Sequence, residues 1–175
     1  MPDPAASLEF QITVAAWRRI PRLRARLQQA VQVAWEHLPK KLHFPVHATL
    51  LLTGNAQIRQ LNRDFRGMDQ PTNVLSFPQF SPQELPKIGK QKRPVPIGDI
   101  AIAYAYSIKE CRKNNKLEIN HIIHLMIHGF LHLFGYDHGS VAEAEMMEKL
   151  EIKIMHALAL PNPYVSSPAE KKRKR

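Results

Sequence analysis

Cysteine is almost missing from the sequence: Cys111 stands alone in 175 residues. An internal disulfide is therefore impossible, which fits a reducing, intracellular setting. A long apolar run is missing too. The longest, 122–134, has 13 residues and contains His124, His128 and His132, so it is too short and too polar to span a bilayer. The opening MPDPAASLEF has no basic stretch leading into an apolar one, so no signal peptide is expected. Acidic residues are scarce, 15 against 25 Lys and Arg, for a net charge of +10. Hydrophobic residues are not scarce. At 44%, with 23% charged, they exclude wholesale disorder and are enough for one domain with its own core.

The charge is unevenly spread. Residues 1–136 hold 18 basic and 9 acidic residues, 137–170 hold 2 and 6, and the terminal KKRKR adds five positive charges. A basic body favours a polyanionic partner such as nucleic acid. Many basic proteins bind no specific polyanion, so charge alone decides little.

Periodicity supplies the organisation. Leu8, Phe10, Ile12 and Val14 alternate with polar or small residues, which predicts a strand. Pro21 falls where a helix's first turn tolerates it. Leu23, Leu27, Val31, Trp35 and Leu38 recur at helical spacing. A second strand is expected over 46–53 and a short helix over Ile58, Leu61 and Phe65, ending near Gly67. Short strands follow at 73–77 and 97–104, then helices at about 104–115, 118–135 and 140–158. Five prolines and four basic residues between 78 and 96 predict a mobile basic loop. The expected fold is α/β (α+β), one domain over 1–160. Its small mixed sheet of about four strands packs against some five helices, with a metal site at the end of a central helix. Residues 161–175 read as a disordered basic tail.

The chemistry lies in HGFLHLFGYDH, residues 128–138. His128 and His132 are one helical turn apart, with Cβ atoms roughly 6 Å from each other, so both imidazoles reach one ion. Gly135 can take the positive φ of a helix C-terminal turn, after which the chain presents His138. Three imidazoles with an open fourth position describe a catalytic zinc site, although nickel, copper and iron also accept such ligands. Asp137 is a candidate to orient an imidazole from behind. His124, on the same stripe, reads as a packed or supporting residue, as does His121. The spacing also matches metzincin proteases, except that Gly129 stands where those peptidases carry their general-base glutamate. A metal and an arginine can still stabilise charge on a phosphodiester. Arg66, before Gly67, is placed to hold a phosphate bidentately. His128 and Arg66 are the candidate catalytic residues. Thr72 and Asn73 are candidates to touch substrate, though they and Asp69 also suit a capped helix–strand connection.

Two blocks, NRDFRGMDQPTNVLSFP at 62–78 and HLMIHGFLHLFGYDH at 124–138, carry a resemblance to the YbeY family of bacterial metal-dependent endoribonucleases. IGDIAIA at 97–103 and EAEMMEKLE at 143–151 also resemble it. The resemblance implies one zinc ion per chain on His128, His132 and His138, and a functional Arg66. It implies single-strand-specific RNA cleavage in 3′-end maturation of small-subunit ribosomal RNA and in late ribosome quality control. The implied partners are ribosomal RNA and the small ribosomal subunit, in the cytoplasm, with no membrane. A metal-dependent amide or ester hydrolase and a non-catalytic ribosome assembly factor are the competing readings.

Overall fold

A computed structural model describes residues 5–39, 42 and 44–165 of the chain. Its strands are β1 (Ala6–Ile12), β2 (Val46–Thr53), β3 (Val74–Pro78) and β4 (Val95–Ala103), and its helices are α1 (Leu23–His37), α2 (Asn55–Arg66), α3 (Tyr104–Lys113), α4 (Glu118–Leu133) and α5 (Val141–Ala157). They form one small α+β domain with a single four-stranded sheet in the order β1-β2-β4-β3. β1, β2 and β4 run parallel, and β3 is antiparallel to β4. The last strand in the chain thus lies inside the sheet, and β3 lies outside it at the edge.

One face of the sheet carries the core. Val46, Ala48, Leu50 and Leu52 point into it from β2, beside Ile100 and Ile102 from β4. Leu27, Val31 and Trp35 of α1, Ile127, Phe130 and Leu131 of α4, and Ile154 of α5 close over them. Each such aliphatic side chain contributes roughly 1.5–3 kcal/mol relative to leaving it exposed. α4 is apolar almost all round because it is covered by the sheet and by α1, α3 and α5. A second, smaller cluster of Ile58, Leu75, Ala101 and Ala103 seats α2 on the opposite face. α5 starts at Ser140 with a reciprocal capping box to Glu143, and α2 stops at Gly67, which takes φ 70°.

Several expectations are revised. Val14 falls beyond β1 and precedes a 3-10 turn, Ala15–Arg19. α1 begins at Leu23, with Pro21 outside it. The loop 78–96 is tethered at its centre. Leu85 is buried in the core, Glu84 accepts from the Ser81 amide at 2.7 Å, and a 3-10 turn spans Leu85–Lys87. β4 starts two residues earlier than expected and includes Pro96, which pairs with His47 where the β2–β4 register shifts. The prolines there limit pairing but fix turns. Of the tail expected from 161, residues 161–165 are among those described. Pro163 is buried, its carbonyl accepts from Lys116 Nζ at 2.6 Å, and Tyr164 reaches the core as described below. Residues 166–175, with KKRKR, lie outside the described residues. Among those described, no helix is long and apolar enough to cross a membrane.

Candidate metal centre

α4 carries His121, His124, His128 and His132 along one stripe of a largely apolar helix. The helix ends at Leu133, and Gly135 turns the chain at φ 83°. A Cβ on Gly135 would lie 2.2 Å from Pro82 Cγ, so the tethered loop packs against this turn and only glycine fits it. The turn returns His138 to the helix. Its backbone N–H donates to Asp137 Oδ1 at 2.8 Å, which is the bond Asp137 makes instead of one to an imidazole. The ligand atoms of His128, His132 and His138 all lie within 4.8 Å of one another. The His128 and His132 Nε2 atoms are 3.1 Å apart.

The support for these rings comes from a residue that motif reading missed. Glu151 of α5 is completely buried. Its Oε1 accepts from His128 Nδ1 at 2.7 Å and its Oε2 from His124 Nε2 at 2.9 Å. The Tyr164 hydroxyl donates to the same Oε2. Burial opposes charge on Glu151, but the hydrogen bonds from His124 and His128 prevail and hold its carboxyl down at about 2. An ionised carboxylate accepts only. The proton of His128 is thereby fixed on Nδ1, and the Nε2 lone pair is turned toward His132 and His138. This is how metal-binding imidazoles are commonly oriented. The signal was present in the sequence: Glu151 stands on the α5 stripe of Met147, Ile154 and Met155, where a carboxylate must find buried partners.

His132 is pushed below the ordinary histidine range by burial and by the neighbouring His128 and His138, which favours the neutral, metal-binding form. Three converging nitrogens, one with its tautomer fixed from behind, fit a divalent transition ion. His124 belongs to the support, through Glu151. His121, at the N-terminal end of the stripe, is tied instead to Glu110 of α3 at 3.0 Å.

The second sequence block meets the first in space. Arg66, Thr72, Asn73, Ser76 and the three imidazoles line one cleft of about 510 Å³. The Arg66 guanidinium makes no hydrogen bond or salt bridge among the described residues. Asn73 is committed elsewhere. Its Oδ1 accepts from the Val74 amide at 2.7 Å, and its Nδ2 donates to both Glu110 oxygens at 3.1 and 3.3 Å. Thr72 contacts Asn73 at 3.4 Å. Asp69 forms a bidentate pair with Arg59 at 2.8 Å. These bonds brace the α2–β3 connection. Gly129 faces the sheet, where a Cβ would lie 2.8 Å from Ile100 Cγ2 and 3.0 Å from Ser76 Oγ. Its smallness therefore serves close packing of α4 on β3 and β4. The missing carboxylate at 129 is a consequence of that packing and is not by itself a mark of the substrate.

The profile of the family described as Endoribonuclease YbeY matches residues 11–159. A Bradyrhizobium diazoefficiens protein named Endoribonuclease YbeY is 41% identical over 160 residues, covering 91% of this chain and 86% of that one. A Chelativorans protein of the same name is 39% identical over 164 residues, covering 93% and 95%. The solution structure of a Thermotoga maritima protein matches with a TM-score of 0.51 at 23% identity, over 92% of this chain and 97% of that one, a likeness of fold.

Proposed function

Because this chain belongs to the Endoribonuclease YbeY family, we propose that it is a zinc-dependent endoribonuclease specific for single-stranded RNA. Its substrate is the 3′ end of small-subunit ribosomal RNA, cut during maturation and late ribosome quality control, and its place of work is the cytoplasm. The observation that carries this reading is the shared cleft, in which Arg66, unpaired among the described residues, joins three converging imidazoles.

His128, His132 and His138 would hold the ion. When bound, a divalent ion supplies Lewis-acid charge next to the phosphate. The chain's own residues do the rest. Arg66 offers two parallel N–H groups to the non-bridging phosphate oxygens, and its charge opposes the negative charge that builds on phosphorus. Glu151 keeps the proton on His128 Nδ1, so Nε2 stays a donor of electrons. Asp137, in the same cleft, is held below the ordinary carboxylate range chiefly by the His138 amide, which keeps it an acceptor at neutral pH.

The test uses the purified full chain. Elemental analysis should find about one zinc per chain, lost in His128→Ala. Single-stranded RNA should be cut, with duplex RNA and casein left intact. Arg66→Lys should keep zinc and lose cleavage, because an ammonium cannot make the bidentate contact. Intact RNA beside digested casein would turn the reading toward an amide hydrolase. A lysine variant with full activity would remove Arg66 from the reaction.

A further inference from the structure

On the face of the sheet away from the core, α2 covers β3 and leaves a groove of about 340 Å³. Leu61 and Phe65 of α2 and Phe77 of β3 form its wall, and Thr49, Leu51 and Asp99 belong to its floor. Phe65 is 69% exposed, a large cost for an aromatic ring that packing does not require. It stands edge-on to Phe77, with ring centroids 5.1 Å apart. Groove and cleft share two boundaries. Phe65 lines the groove and the next residue, Arg66, lines the cleft. Phe77 lines the groove and the next residue, Pro78, lines the cleft. Asp99 is a second anomaly. It is an exposed charge on an inner strand, flanked in register by Thr49 and Phe77. Its carboxylate has no hydrogen-bond or ion-pair partner among the described residues.

We infer that this groove is a nucleobase subsite. Phe65 stacks a base next to the phosphate held at Arg66, and Asp99 accepts from that base's exocyclic amino group. The inference rests on the endoribonuclease reading above and names which part of the RNA the chain grips. Exposed aromatics beside arginines are the usual platform for single-stranded nucleic acid, because every base offers a stacking face. A carboxylate beside the platform adds selection. It pairs with the amino group of cytosine, whereas uracil presents a carbonyl at the same place and is repelled. A protein partner is the less favoured occupant, since the ring is followed directly by a phosphate-seeking arginine and shares its groove with a carboxylate that is unpaired among the described residues.

The probe is a pair of fluorescently labelled 2′-O-methyl oligonucleotides, oligocytidylate and oligouridylate. They are titrated by anisotropy against the zinc-loaded full chain, with their integrity checked on gels. The wild type should bind oligocytidylate the more tightly. Phe65→Ala should weaken both on the order of tenfold, and Phe65→Trp should restore them. Asp99→Asn should erase the preference on the order of tenfold by weakening oligocytidylate while leaving oligouridylate no weaker. Since Phe65 touches no phosphate, the salt dependence of binding in Phe65→Ala should keep its slope. If Phe65→Ala binds both oligonucleotides like the wild type, or Asp99→Asn keeps the preference, the subsite is overturned while the nuclease reading stands. If Phe65→Ala loses only its grip on intact small subunits, the groove is a protein contact and the inference fails. If the wild type neither binds nor cuts RNA, the nuclease reading itself falls and takes the subsite with it.

Discussion

A carboxylate that accepts only can satisfy three donors at once, and Glu151 does so for His124, His128 and Tyr164. An amide in its place would turn an N–H₂ toward one of those donors. Glu151→Gln should therefore lower zinc affinity by about 10- to 100-fold and stability by roughly 1–3 kcal/mol. Competition with a fluorescent chelator and calorimetry measure the two, and unchanged zinc affinity would make Glu151 merely a packed residue. Glu110 behaves differently. Partial burial opposes its charge, but His121 and Asn73 together hold its carboxyl below the ordinary range. The stability it contributes is complete above the unfolded value near about 4.3 and is lost as pH falls through the lower folded value. Glu110→Gln should thus melt below the wild type at neutral pH, and the gap should close as a melting series moves into acid. A gap that stayed constant with pH would mean that Glu110 acts through shape alone.

Among the elements, α4 packs closely on the sheet, with Ser76 Oγ donating to the Gly129 carbonyl at 3.1 Å. Gly129→Ala forces a methyl into Ile100 and should cost roughly 1–3 kcal/mol. Gly129→Gln and Gly129→Glu should lose stability and cleavage together, whatever their charge. Thermal melts beside RNA assays decide this, and a glutamine variant that kept wild-type stability while glutamate abolished activity would restore an electrostatic role. The regular elements were legible because burial imposed a period on them: β2 alternates, α1 repeats every third or fourth residue, and beyond Asn120 α4 is apolar apart from its histidines. The three-histidine cluster was legible because its spacing is local. What sequence did not show was long-range. The contacts of Glu151 with His128 and of Tyr164 with Glu151 join residues from separate elements, and Pro82 meets Gly135 across 53 positions. No period encodes such pairs. The place of Leu85 in the loop 78–96 was illegible for a similar reason, since it finds its core neighbours far along the chain.

At the scale of the whole molecule the net charge of +10 sets how RNA is attracted before anything specific occurs. Removing residues 171–175 deletes five positive charges. If all reach phosphates, the slope of log affinity against log salt for single-stranded RNA should flatten by up to about 3.5, with cleavage positions unchanged. Sequencing of the cut ends would reveal a shifted pattern and so a tail that positions substrate. The strand order has a kinetic consequence. β4 is made last yet pairs with β2 on one side and β3 on the other. Until it arrives, β2 has a bare edge and β3 has no strand to join. Closing the sheet must bring Val46 to Val95 and Val74 to Ile102, distant partners of the kind that make folding slow. One wall of the cleft is β3, which pairs only with β4 among the described residues. In refolding, the cleft that brings Arg66 to the three imidazoles therefore cannot be complete before the last strand is inserted.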